Sequence, residues 1–178
     1  MSYLANRDES LLVYVDGLQN AHAMETQAIE LLSRQVERLE HYPDMEARMR
    51  QHIAESETQR ARLEDVLRSH SEGAKSGTST IKDAILGLGG NIAAAIHAPA
   101  TDEVLKNTLA NFAFEHFEIA AYKTLITMAD ALGDPHGKAA AEACLAEEEA
   151  MAEWIDQHIA QTTLIFLNRT DAGIVASH

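Results

Sequence analysis

Two stretches of this chain repeat each other, and each sets a glutamate in the middle of an apolar stripe. The first runs Ala21-His22-Ala23-Met24-Glu25-Thr26-Gln27-Ala28-Ile29-Glu30-Leu31-Leu32. The second runs Phe114-Glu115-His116-Phe117-Glu118-Ile119-Ala120-Ala121-Tyr122-Lys123-Thr124-Leu125. With Glu25 laid over Glu118, Ala21 meets Phe114, Met24 meets Phe117, Ala28 meets Ala121, Ile29 meets Tyr122 and Leu32 meets Leu125. Those positions recur at the three-four spacing of one helix face. A carboxylate on the buried side of a helix is costly unless a cation meets it. Each repeat is followed by a further helical segment that also carries an inward-facing acid. On the first of these, His52, Glu55, Gln59 and Val66 share a face through three- and four-residue steps. On the second, Glu147 stands eight residues before Ile155 as Glu55 stands eight before Leu63, which favours Glu147 as the counterpart of Glu55. Glu148 competes, because Leu145, Glu148, Ala152, Ile155 and Ile159 also form a stripe.

Four helices that offer carboxylates to one bundle interior form the layout of a dinuclear metal site. Iron and manganese take oxygen ligands, and imidazole also suits iron. Two such ions a few ångströms apart repel, and carboxylates that bridge them and close each end neutralise that charge. The expected cofactor is therefore a pair of metal ions, iron first and manganese as the alternative. Glu25 and Glu118 are read as end ligands, with Glu55 and Glu147, or Glu148, as bridges. Glu115 or His52 can fill a remaining position. Tyr122, one turn after Glu118, either donates a hydrogen bond to a ligand carboxylate or fills core.

The elements that must hold these residues follow from the apolar periodicity. Helices are expected over about 8–40, 44–70, 80–97, 101–132 and 137–161, all within one domain spanning residues 1–178. Pro43 and the Gly133-Asp134-Pro135 break separate the members of two hairpins. About thirty residues join the hairpins and contain the short helix at 80–97, which is enough for a crossover along the bundle. The fold class is all-α: a ferritin-like four-helix bundle of two antiparallel hairpins with an extra helix in the crossover.

Composition narrows the function classes. The 46% hydrophobic content opposes disorder, and only 3 prolines and 9 glycines in 178 residues leave long stretches free for helix. A formal charge of −14 argues against nucleic acid and anionic membrane surfaces as partners. The single cysteine, Cys144, excludes an internal disulfide. The polar start lacks an apolar signal core, and the most apolar window, 84–98, is too short to span a bilayer. These features point to a soluble, cytoplasmic protein.

Several runs carry a resemblance to a known family. They are His22-Ala23-Met24-Glu25-x-Gln27-Ala28, His52-x-x-Glu55, Phe114-Glu115-x-Phe117-Glu118-Ile119-Ala120-x-Tyr122, Glu147-Glu148-x-x-Met151-Ala152-x-Trp154 and Gln157-His158-Ile159-x-Gln161-Thr162-Thr163. Together they resemble the YciE/YciF family of bacterial ferritin-like proteins, the YciE branch most closely, over about residues 12–167. The resemblance implies a ferritin-like bundle, a homodimer, a di-metal centre and a link to bacterial stress responses. More distantly, Met24 to Ala28 and Glu115 to Glu118 are similar to rubrerythrin motifs, in which glutamates matching Glu25, Glu55, Glu115, Glu118 and Glu147 serve an iron pair. The Glu-x-x-His element of rubrerythrins and ferritins is absent, since the corresponding residues are Thr58, Ala150 and Met151.

Two functions are consistent with these residues. One is a di-iron carboxylate protein that oxidises ferrous iron or consumes peroxide. The other is a non-enzymatic dimeric stress protein, metal-free or structurally metallated, that binds a protein partner.

Overall fold

The computed structural model describes residues 6–71 and 100–177. They form four helices, α1 (Arg7–Val36), α2 (Pro43–Ser71), α3 (Glu103–Leu132) and α4 (Pro135–Asp171), with no strand among the described residues. The helix expected at 80–97 and the apolar residues within it lie outside them.

Local chemistry sets most of the helix ends. Asn6 caps α1 by accepting from the Glu9 backbone N–H at 3.3 Å, and Asp8 and Glu9 place negative charge at the positive end of the helix. Pro43 opens α2, where its missing N–H is not needed. Between the two, α1 stops at Val36 rather than near Glu40. Tight turns formed by Arg38 N–H to Gln35, Leu39 N–H to Val36 and Tyr42 N–H to Leu39 replace the last helical turn. Leu39 and Tyr42 are buried in this corner. At the other end, α4 runs about ten residues beyond its expected stop. Ile165 and Phe166 pack against the apolar end of the bundle, so burial extends the helix to a Gly173 at φ 68°. Tyr42 then donates to the Ala176 carbonyl at 2.7 Å and ties the C-terminal turn to the α1–α2 corner.

Each helix packs on two neighbours: α1 on α2 and α3, and α4 on α2 and α3. Contacts such as His22–Glu64, Arg38–Glu103, Arg62–Glu147 and Lys123–Glu149 make every adjacent pair antiparallel. As a result α2 and α3 point the same way. The chain leaves α2 beside Asp134 at one end of the bundle and enters α3 beside Arg38 at the other. Two antiparallel hairpins, with the end of α2 and the start of α3 at opposite ends of the bundle, are the ferritin-like arrangement expected from the sequence.

One node fastens an end of the bundle. Asp134 caps α4 through the Gly137 N–H at 3.0 Å. It also accepts from the Tyr14 hydroxyl of α1 at 2.9 Å and meets His70 Nε2 of α2 at 2.9 Å. A Cβ on Gly137 would overlap the Tyr14 hydroxyl and the Asp134 carboxylate, so Gly137 is needed for close approach. Gly137→Ala is expected to cost about 1–3 kcal/mol through overpacking, which corresponds to a melting temperature lower by roughly 2–12 °C. Thermal melts followed by circular dichroism check this, and an unchanged melting temperature would remove the node from the account of stability.

The core divides into two apolar blocks. Tyr14, Leu18, Met24, Leu63, Val66, Tyr122 and Leu125 belong to one; Leu32, Val36, Tyr42, Met49, Met151 and Ile155 belong to the other. Between them lies a polar layer, and the residues singled out by the sequence fall in it.

Candidate metal centre

The helix periods that build the two apolar blocks also point polar side chains into the layer between them. Glu25 of α1, His52 of α2, Glu115 and Glu118 of α3 and Glu148 of α4 are each 0–1% exposed. One ligand atom from each of His52, Glu115, Glu118 and Glu148 lies within 4.8 Å of the others, a group that can hold a metal ion. His52 Nε2 stands 3.3 Å from Glu115 Oε2 and 3.4 Å from Glu148 Oε2. Glu25 borders this group, and the Tyr122 hydroxyl donates to its Oε1. Tyr122 thus takes both roles open to it from sequence: its ring fills core and its hydroxyl binds a carboxylate.

The carboxylates are short of donors. Glu25 Oε2, Glu115 Oε2 and both oxygens of Glu118 and of Glu148 are buried without a hydrogen bond of good geometry. Native interiors rarely leave such atoms orphaned, and those that remain mark places where water, protons or ions bind. Ser56 and Gln59, both fully buried, add further unpaired oxygens to the same layer.

Charge is distributed unevenly across the cluster. Burial, reinforced by Glu148, pushes Glu25 up to about 8, against the pull of Tyr122 and His52. Burial pushes Glu115 up to about 7, although His52 opposes it. Glu118 rises well above the ordinary carboxylate range because it is buried and faces Glu148, Glu25 and Glu115. For Glu148 burial acts in the same direction, but His52, Glu115 and Gln59 outweigh it and hold its carboxyl below the ordinary value. Burial likewise opposes charge on His52, yet Glu115, Glu148 and Glu55 raise it well above the ordinary imidazole value. Without metal, then, the surroundings favour the protonated form at Glu25, Glu115 and Glu118 and the charged form at Glu148 and His52. A divalent cation would replace those protons.

Two residues proposed from sequence lie apart from the cluster. Glu147 is partly exposed and forms a bidentate pair with Arg62, at 2.6 and 2.9 Å, while also accepting from Gln59 at 3.0 Å. Glu148, the competing choice, is the one that points inward. Glu55 is turned toward its own helix surface. Its Oε2 meets His52 Nδ1 at 3.0 Å and Arg48 Nη1 at 3.0 Å, and Oε1 accepts from Gln51 at 2.7 Å. The hydrogen bond from His52, aided by Gln51 and Arg48, holds its carboxyl down at about 2. Other polar candidates settle into ordinary roles. His22 pairs with Glu64 at 3.0 Å, His116 sits edge-on to Phe112, and Cys144 is a free, buried thiol that burial pushes up to about 12.

The sequence did contain a signal for Glu148. The offset that carries Glu25 onto Glu118 also carries Glu55 onto Glu148, not onto Glu147. The two hairpins therefore share one register through both helices. The internal symmetry is broken at Glu55, which meets Arg48, Gln51 and His52, while His52, one turn earlier, faces the cluster.

A ferritin-like bundle with a buried carboxylate–histidine layer is the class that this fold and site define. Within that class, residues 11–168 match the model of the DUF892 family, a domain of unknown function, and the chain belongs to that family. Among solved structures it is similar to a protein of Xanthomonas campestris at 30% identity, with 91% of this chain and 99% of that chain covered and a TM-score of 0.73. It is also similar to the YcfI protein of Rhodopseudomonas palustris, at 28% identity, 88% and 97% coverage and a TM-score of 0.68. The E. coli stress protein YciF shares the fold at 23% identity, with 88% and 96% coverage and a TM-score of 0.72. The YciE/YciF resemblance of the sequence is supported at the level of the family. No helix among the described residues is long and apolar enough to cross a membrane.

Proposed function

We propose that this chain is a di-metal carboxylate protein, loaded with iron, that serves a bacterial stress response by oxidising ferrous iron or consuming peroxide in the cytoplasm. The single observation that carries the metal reading is the set of buried carboxylate oxygens without donors around His52. Isolated buried acids are expensive, and their assembly from three helices on an imidazole fits a hard cation better than an apolar core. His52, Glu115, Glu118 and Glu148 would hold the first ion. Glu25, with its free Oε2 facing the same layer, would share in holding the second. The stress role extends to this chain the word used for the E. coli neighbour.

Bound iron would supply one-electron chemistry toward peroxide or dioxygen. The protein's own part is to fix and neutralise. Tyr122 holds the Glu25 carboxylate in place, and the carboxylate-rich layer favours the more highly charged oxidised metal. The two apolar blocks exclude bulk water from the layer. The test is stopped-flow absorbance of anaerobic ferrous protein mixed with each oxidant. Slow oxidation is expected, faster with peroxide than with dioxygen, and lost in Glu118→Gln. A rate equal to that of free ferrous ion in matched buffer, for both oxidants, would leave the non-enzymatic stress protein as the reading.

We also propose a homodimer. Leu164 and Leu167 of α4 are each more than half exposed and three residues apart, so they share one helix face, which would meet the second copy. Sedimentation at micromolar concentration should give a dimer that Leu164→Glu weakens at least about tenfold, the loss expected when about 1.4 kcal/mol of contact is removed. A monomer for the parent protein would contradict this.

A further inference from the structure

We infer that Glu55 is a positioning residue that holds His52 by its Nδ1 and so presents Nε2 to the metal, and is not itself a ligand. The inference rests on the metal reading above and assigns Glu55 a different role from the bridging one its sequence position suggests.

The imidazole of His52 is fully buried, and its two nitrogens face different partners. Nε2 looks into the cluster, 3.3 Å from Glu115 and 3.4 Å from Glu148. Nδ1 looks the other way, 3.0 Å from Glu55 Oε2. An ionised carboxylate can only accept, so this contact places a proton on Nδ1. Once the cation displaces the proton on Nε2, that nitrogen's lone pair is the one available. Metal-bound histidines commonly give their second N–H to a carboxylate in this way, which fixes both tautomer and ring orientation.

Glu55 is itself fixed by neighbours on its own helix. Arg48 donates to the same Oε2 at 3.0 Å and Gln51 donates to Oε1 at 2.7 Å. Both oxygens are thus engaged, in contrast to the unpaired oxygens of Glu118 and Glu148. The Glu55 side chain is 21% exposed and Arg48 is 10% exposed, so the pair lies at the margin of the layer, not within it. To face the cluster as a ligand, the Glu55 carboxylate would have to turn away from the donors that now hold it.

Titration with Co(II), followed through its visible d–d bands, separates the two roles. Glu55→Gln keeps a side-chain carbonyl oxygen that can accept from Nδ1. It is expected to bind Co(II) within about threefold of the parent protein and with the same spectrum. Glu55→Ala removes the acceptor and is expected to weaken binding about 10–100-fold, while the spectrum at saturation is unchanged because the ligand set is unchanged. If Gln and Ala weaken binding equally and both shift the bands, Glu55 is a ligand and the inference is wrong. If Ala binds as the parent does, Glu55 positions nothing and the inference is again wrong. Failure of the parent protein itself to bind Co(II) would instead overturn the metal reading, and this inference with it.

Discussion

Glu148→Gln is expected to abolish metal binding, whereas Glu147→Gln leaves it intact. The two residues are adjacent and chemically identical, and the helix turns them to different surroundings. Glu148 is fully buried, with both oxygens unpaired and His52 3.4 Å away. Glu147 is spent on Arg62 at the edge of the bundle. Loss of a residue one step removed from a metal typically lowers affinity about 10–100-fold, so loss of a direct ligand should exceed about 100-fold. The same is expected of Glu118→Gln. Glu147→Gln keeps an oxygen for the Gln59 hydrogen bond and weakens the partly exposed pair with Arg62, at a cost of about 1 kcal/mol or less. Ferrous or manganous titrations of the three variants, read by equilibrium dialysis and metal analysis, decide the matter. Equal occupancy in Glu148→Gln and the parent would exclude Glu148 from the site.

The metal-free protein is expected to lose stability as pH rises from about 5 to 8, and metal to restore it. Glu25 and Glu115 are raised to about 8 and about 7, and Glu118 is raised further. In this window the unfolded chain has already released those protons while the folded chain keeps them. The folded state thus binds more protons, and stability falls with increasing pH. His52, raised by Glu115 and Glu148 against its burial, acts in the same direction as pH passes its folded value. Glu55, held at about 2, and Glu148, also lowered, work oppositely, but their contribution is lost only below the ordinary carboxylate range of about 4.5. A fall in melting temperature of roughly 5 °C or more across the window is expected for the metal-free protein. Metal at about a hundred times its dissociation constant adds about 2.7 kcal/mol, which corresponds to roughly 5–10 °C at pH 8. Because the cation displaces carboxyl protons, the gain should shrink toward pH 5. Scanning calorimetry with and without manganese checks both signs. Metal-free protein that is more stable at pH 8 than at pH 5 would mean that the buried acids are paired in some other way.

How much of this was legible in the sequence depends on which signal carried it. The paired hairpins were, because Glu25 and Glu118 sit in long stripes whose three-four spacing survives every substitution between the two copies. Glu115 lies one turn before Glu118 on the same stripe, and His52 shared a face of the next helix with Glu55, Gln59 and Val66. Neighbouring glutamates were harder. Glu147 and Glu148 differ by about 100° on the helix, within the spread of an amphipathic face, and only the shared register of the two hairpins separates them. Glu55 was placed on the right helix, but its partners were not legible, because periodicity assigns a face and Arg48, seven residues earlier, meets the carboxylate through a side-chain contact that periodicity does not encode. Ser56 and the role of Gln59 in the buried layer escaped for a similar reason, since neither has a charge to make its burial conspicuous. Helix ends shifted where tertiary burial outbid local signals, at Leu39 and Tyr42 in the first corner and at Ile165 and Phe166 beyond the expected stop of α4.

The most direct measurement is anomalous diffraction at the iron edge from crystals loaded anaerobically with ferrous iron. The account predicts a peak enclosed by His52 Nε2 and the carboxylates of Glu115, Glu118 and Glu148, with a second toward Glu25. A loaded crystal with no peak in that layer, or with iron on Glu147 at the bundle surface, would contradict it.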